Sequence, residues 1–158
     1  MLTDAMKRVI REQKLGYLAT VNADGSPNLS PKATFIVLDD TTIAFVELRS
    51  PNTMKNIARD PVVALNFVDP FARRGFRFRG RAVAVGRDDG GFAALFAAFG
   101  DLGGLSDHVR AVVRIDIEEA EPLISPAYDR GISEAELRRD WTRKFQAMQP
   151  DGRFDTGG

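Results

Sequence analysis

The chain has no cysteine among its 158 residues. That absence removes disulfides, thiolate nucleophiles, cysteine zinc sites and iron–sulfur clusters together, and with them thiol redox chemistry. Histidine is nearly missing as well. His108 is the only one, so a Ser-His-Asp arrangement has a single residue to run through, and histidine-rich metal sites are excluded. No apolar run reaches the roughly 18 residues that a membrane span requires. The start, Met1–Arg8, lacks the basic, apolar and small-residue order of a secretory signal. A cytoplasmic protein without a membrane partner is therefore expected. Neither sign of charge is in excess: 22 Lys and Arg balance 22 Asp and Glu. A broad basic footprint for nucleic acid is not expected, although a local patch remains open.

What is present is a globular composition, 44% hydrophobic and 28% charged, in a length that suits one domain with a real core. One domain over residues 1–150 is expected, with 151–158 as a disordered tail. Thr3–Lys14 carries Met6, Val9 and Ile10 at helical spacing, with Thr3 or Asp4 placed to cap it. Gly16–Asn22 switches to strand composition, and Asp24-Gly25 supplies a hairpin turn. Further strands are predicted over Pro27–Leu38, Thr42–Glu47, Val62–Val68, Phe76–Val85 and Val113–Glu118. Ser50-Pro51 opens a short helix as N-cap hydroxyl and first-turn proline, and Asp60-Pro61 closes it after about Arg59. Val62–Val68 is apolar on both faces, which calls for the barrel core on one side and a partner subunit on the other. The apolar phase changes after Gly80, which suggests a bulge.

Asp88–Leu105 reads as a small helix with an aromatic face, expected over a barrel end, and Ser133–Met148 as a capped helix. In the latter, Leu137, Trp141 and Phe145 form a stripe that needs a surface to cover. Six strands broken by short helices, with early hairpins, fit a small antiparallel barrel, mainly β, better than a sandwich or a parallel sheet.

Three segments carry chemistry. Glu47–Asn56 gathers Arg49, Ser50, Thr53 and Lys55 around the first turn of a helix, where free amides and the dipole favour an anion such as a phosphate monoester. A plain capped surface helix with solvated cations is the alternative. Pro27–Phe35 is polar where a barrel strand should be apolar. Pro31 gives up a ladder donor, so the strand belongs at an edge or a bulge, with backbone free to meet a planar polar ligand beside Lys32. An edge blunted against aggregation explains the same residues. Asp69–Arg81 interleaves five arginines with aromatics. This could serve single-stranded nucleic acid or form a solvated strand face, or Arg73 or Arg74 could reach an anion in a partner's site. His108, next to a strand, is read as structural.

In their order, these segments resemble the pyridoxamine 5′-phosphate oxidase-like, FMN-binding split-barrel family. The matching succession is the opening helix, Gly16-Tyr17-Leu18-Ala19-Thr20, the Asp24-Gly25 turn and Pro27, and then Ser30-Pro31-Lys32. Phe45 through Arg49-Ser50-Pro51, Lys55-Asn56-Ile57 and Asp60-Pro61-Val62 complete it. The likeness covers roughly residues 3 to 120. It implies a six-stranded antiparallel split β-barrel and a homodimer with flavin mononucleotide (FMN) at its interface. It also implies redox chemistry on a small molecule. Carried over residue by residue, Arg49, Ser50, Thr53 and Lys55 would hold the flavin phosphate. Ser30, Pro31, Lys32, Ala33 and Thr34 would line the ring, with Glu47 and Asn66 contributing from neighbouring strands. A cation at the pyrimidine end, Lys32 or a partner arginine, would favour anionic reduced flavin. The chain departs from the vitamin B6 oxidase proper at its end, where Ser125–Gly131 and the Trp141 helix replace that enzyme's arginine- and tryptophan-bearing substrate segment. A flavin store or sensor without turnover, and a split barrel taking deazaflavin or haem, are the competing expectations.

Overall fold

The computed structural model describes residues 1–149, which form two compact units: residues 1–68 with 75–123, and residues 69–74 with 124 onward. The expected disordered tail lies outside the described residues. No helix among them is long and apolar enough to cross a membrane.

The first unit opens with α1 (Asp4–Gln13), whose first turn is capped by the Thr3 hydroxyl accepting the Met6 amide. The strands are β1 (Gly16–Val21), β2 (Pro27–Lys32), β3 (Ile36–Val37), β4 (Thr42–Glu47), β5 (Val62–Asp69), β6 (Arg74–Gly86) and β7 (Ala111–Ile124). Two helices, α2 (Pro51–Arg59) and α3 (Phe92–Ala97), interrupt them. The sheet order is β2-β1-β5-β6-β7-β4-β3. Seven strands appear where six are expected because the stretch Pro27–Leu38 is broken at Ala33–Phe35. At the break the Thr34 hydroxyl takes over the pairing, accepting from the Val46 amide at 3.1 Å and donating to the Val46 carbonyl at 3.3 Å. Phe35 then turns into the core.

That break closes the barrel. Laid flat, the two edges of a seven-stranded sheet stand roughly 29 Å apart, six spacings of about 4.8 Å. The three residues linking β2 to β3 reach no more than about 14 Å. The sheet must therefore curl until its edge strands come within that reach, and the result is a split barrel.

Leu18, Ile43, Phe45, Val63, Leu65, Phe67, Phe78, Val113 and Ile115 fill its interior. Phe35 meets Phe45 and Phe67 edge to face at 5.2 and 4.9 Å. Gly16 makes room for this stack, since a Cβ there would lie 2.6 Å from the Phe35 ring and 2.7 Å from Phe67. β4 is buried on both faces. Ile43 and Phe45 point inward, while Ala44 and Val46 join Val112, Phe92 and Phe99 in a second cluster. So α3 covers the outside of β4 and β7 and not a barrel end. β6 also departs from expectation. Phe78, Gly80 and Ala82 keep one inward phase, and the phase change in the sequence is Val83, an apolar residue on the outer face. Gly80 is needed for close strand approach, because a Cβ there would fall 2.1 Å from the Asp116 carbonyl.

The second unit is built on Asp69, whose Oδ1 accepts the Phe71 and Ala72 amides at 2.9 and 3.0 Å. Its Oδ2 receives the Arg138 guanidinium at 2.7 Å. Burial pushes this carboxyl upward, but the two amides and Arg138 outweigh it and hold the group below its ordinary value. The helix α4 (Glu134–Ala147) begins with a reciprocal Ser133–Glu136 capping box. Its apolar stripe finds its cover on the 69–74 link: Phe71 packs on Phe145 at 5.3 Å, and Arg73 lies 4.1 Å over Trp141.

Candidate functional site

The site follows from register. Gly16 pairs with Lys32, Leu18 with Ser30 and Thr20 with Asn28, and directly opposed residues share a face. Ser30, Lys32 and Asn28 therefore point inward, beside the core, which makes this end of the barrel polar. Asn28 donates to the hydroxyls of Thr20 (3.0 Å) and Thr53 (3.3 Å). Asn56 donates to Thr20 Oγ1 and Asn22 Oδ1, both at 2.9 Å. This network fastens α2 to the β1–β2 hairpin. Sequence reasoning missed Thr20, Asn28 and Asn56. The available signal was an amide three residues after Thr53, on the same helical face.

Next to the network, the buried Glu47 carboxylate accepts the Ser50 amide at 2.5 Å and the Ser50 hydroxyl at 3.1 Å. Ser50 is thus not the hydroxyl cap expected of it. The Glu47 carboxylate holds the amide and hydroxyl of Ser50, the residue before the first turn of α2, and no side chain caps the first-turn amides. Lys32 is half-buried, donating to Ser30 Oγ at 3.0 Å and lying 5.7 Å from the Phe45 ring centre. Burial lowers the pKa of its ammonium, and the Glu47 charge partly opposes that fall.

Two clefts open near this polar end. One, of about 590 Å³, is lined by Ala33, Thr34, Phe35 and Val37, with Phe99 opposite and Arg11 and Lys14 adding positive charge. The other, of about 710 Å³, includes Arg49. Leu105 lines both. Of the predicted site residues, Ser30, Lys32, Glu47, Ser50 and Thr53 come together at the polar barrel end, and Ala33 and Thr34 lie in the first cleft. Arg49 and Lys55 are exposed, and among the described residues neither has a carboxylate at ion-pair distance. Pro31 and Asn66 stand apart from this group. They flank Tyr17 in one row across β2, β1 and β5, on the outer face. Arg74 belongs to the second unit, 3.6 Å from Glu134. His108 is exposed and lines the second cleft. The arginine–phenylalanine strand is a solvated face: Arg77 and Arg79 pair with Glu121 and Glu119 at 3.8 and 3.1 Å. Phe78 is in the core and Phe76 packs against it, so this strand offers bases no aromatic platform.

The donor set fits an anionic, partly planar ligand. It combines exposed unpaired cations, an edge strand broken beside a cleft, and a half-buried ammonium. The class defined by fold and site is a split β-barrel with a polar, ligand-ready seam. The chain belongs to the pyridoxamine 5′-phosphate oxidase family, whose profile matches residues 2–123. Among solved structures it is similar to HupZ of Group A Streptococcus, with 34% identity and a TM-score of 0.67 over 79% of this chain and 96% of that one. It is also similar to a candidate pyridoxamine 5′-phosphate oxidase of Lactobacillus delbrueckii, with 29% identity and a TM-score of 0.65 over 76% and 93% of the two chains. An FMN-binding protein of Syntrophomonas wolfei shares the fold at 13% identity, with a TM-score of 0.63 over 75% of this chain and 84% of that one. No curated protein matches the sequence.

Proposed function

We propose that the chain binds FMN as a homodimer and works as an FMN-dependent oxidoreductase on a small molecule other than pyridoxamine phosphate. The observation that carries this reading is the seam at Ala33–Phe35. There the edge strand leaves its ladder beside a cleft, with Lys32 and Glu47 held nearby. Family membership supports it. Bound FMN would supply hydride and single-electron transfer. Arg49 and Lys55 are the phosphate ligands, because their charges are exposed and unpaired. Ser50 and Thr53 shape the helix start, since their hydroxyl oxygens are engaged by Glu47 and Asn28. Ala33 and Thr34 line the ring, with Ser30 and Lys32 at its edge, and the Lys32 ammonium favours negative charge there. Pro31 and Asn66 sit on the face that the second subunit covers. On that face Tyr17, Val21, Leu29, Val62 and Val68 are between 40% and 65% exposed, a concentration of apolar surface that a monomer rarely leaves open.

The absorption spectrum of the purified protein is the primary test. Flavin bands after FMN is added and the excess removed support the reading, and their absence overturns it. Lys55→Ala should weaken FMN by about 1–3 kcal/mol, the scale of a lost charged hydrogen bond. An unchanged dissociation constant removes Lys55 from the site. Anaerobic reduction by NADH or NADPH, followed by reoxidation with quinones or nitro compounds, separates an enzyme from a flavin store.

A further inference from the structure

The larger cleft holds a charge cluster of which the flavin reading uses only Arg49. Arg49, Arg87 and Arg110 line it together with His108, against a single carboxylate, Asp107. Among the described residues, the three cleft arginines have no carboxylate within 4.0 Å. Of the other described arginines, Arg8, Arg74, Arg77, Arg79, Arg114, Arg138 and Arg143 each have one, whereas Arg11, Arg59, Arg73, Arg81, Arg130 and Arg139 have none. What sets the cleft apart is that three unpaired arginines line it together. In a chain of formal net charge zero, this local excess has no partner within the described fold.

Arg87 is fixed in place. Its Nε donates to the Val109 carbonyl at 2.6 Å and another guanidinium nitrogen to the Ser106 carbonyl at 2.8 Å. The guanidinium also lies 5.5 Å from the Phe92 ring centre. A ligand meeting it therefore pays little ordering entropy, and the rest of its donors stay uncommitted. Arg110 is exposed, and its position is set by its main chain, whose amide donates to the Glu47 carbonyl at 2.8 Å. Leu48, Leu105 and Val109 complete the lining with apolar surface. Several guanidiniums match a group with several oxyanions, since each presents a planar fork of donors. The apolar wall and a volume of about 710 Å³ leave room for a ring as well.

We propose that this cleft binds an organic diphosphate, a nucleotide whose phosphate oxygens rest on Arg49, Arg87 and Arg110 and whose ring lies on the apolar wall. The site shares Arg49 with the proposed FMN phosphate ligands, whereas Arg87 and Arg110 lie outside that set. Two sources have this chemistry: the diphosphate of a nicotinamide dinucleotide donor, and a nucleoside diphosphate.

Calorimetric titration of the flavin-free full chain with inorganic pyrophosphate, ADP and NADPH tests it. Binding of ADP should weaken with rising ionic strength and fall about tenfold or more in Arg110→Ala, the effect of one charged hydrogen bond. Arg8→Ala, which removes the same charge outside the cleft, should leave it unchanged. Arg87→Ala is the poorer probe because it also frees two carbonyls. NADPH binding tighter than ADP, with the same dependence on Arg110, identifies the donor as the source. ADP binding as tight or tighter identifies a mononucleotide. Absence of binding by all three, or equal losses in Arg110→Ala and Arg8→Ala, overturns the site. If FMN fails to bind while ADP still depends on Arg110, the flavin reading falls and the diphosphate site stands.

Discussion

Replacing Asn56 with alanine measures what holds α2 against the polar end of the barrel. The side chain is buried and donates two hydrogen bonds of 2.9 Å, to Thr20 and Asn22. A typical intramolecular hydrogen bond contributes about 1 kcal/mol net, and more is lost only where a buried partner is orphaned. Neither partner is orphaned here. Thr20 Oγ1 still accepts from Asn28 at 3.0 Å, and Asn22 is half-buried, so water can replace the lost donor. The third contact, from Arg59 at 3.4 Å, is long and adds little. The expected cost of Asn56→Ala is therefore about 2 kcal/mol. For a chain of this size that corresponds to a fall of roughly 4–8 °C in Tm.

Urea and thermal unfolding followed by far-ultraviolet circular dichroism would read the change, with ΔG taken by linear extrapolation. Asn56→Asp provides an internal check. It keeps the volume but turns an oxygen toward Asn22 Oδ1, so it should cost more than alanine. An alanine variant within about 0.5 kcal/mol of wild type, the range of ordinary surface substitutions, would show that the network is not structural. An aspartate variant milder than alanine would show that the donor assignment is reversed.

Two further substitutions separate stability from binding. Lys32→Met should leave the flavin-free protein no less stable at pH 7 while weakening FMN by about 1–3 kcal/mol. The reason is that burial lowers the Lys32 pKa in the fold: the charged form is penalised at neutral pH, and that penalty is relieved only as pH rises through the lowered value toward the unfolded one. A loss of more than about 1 kcal/mol in the flavin-free variant, one ordinary hydrogen bond, would mean that Lys32 serves the fold. Asp69 has the opposite sign. Its pKa is held below the ordinary value, so its stabilisation is present above about pH 4 and is lost as pH falls through the folded value. Trp141 is the only tryptophan and lies in the second unit, so its fluorescence reports that unit alone. Asp69→Asn should flatten the loss of stability between pH 5 and 3, about one unit either side of the ordinary carboxylate value. Parallel profiles for the two proteins would assign the acid sensitivity to other carboxylates.

The elements that could be read from sequence are those whose cause is local. Thr42–Glu47 and the helix from Pro51 to Arg59 stand where strand composition, the first-turn proline and Asp60-Pro61 place them. The break at Ala33–Phe35 has a non-local cause: Thr34 finds its partner on Val46, which lies twelve residues away. No period within Pro27–Leu38 encodes that bond, so one strand was expected where there are two. The Ser50 hydroxyl failed as a cap for a related reason. Helix-start chemistry makes it an acceptor for amides, but Glu47, three residues back and buried, is the stronger acceptor.

The same distinction applies to the site. Residue types predicted that cations and hydroxyls would gather near the start of α2, and they do. Which of them face a ligand depends on register. Because Gly16 pairs with Lys32, every even-numbered residue of β2 turns inward and Pro31 turns out beside Tyr17 and Asn66. The residues drawn from Pro27–Phe35 as one ring-lining set are thus divided between the two faces of a sheet. A planar ligand contacting both sets must reach around the edge strand, which is possible only where that edge is free, at the seam, and where a second copy covers the outer face. On the proposed reading, the alternation therefore makes FMN binding depend on dimerisation. A substitution such as Leu29→Asp, placed on the outer face and directed at no flavin atom, should weaken both together. Retained FMN affinity in a monomeric Leu29→Asp protein would show that the inward set binds alone.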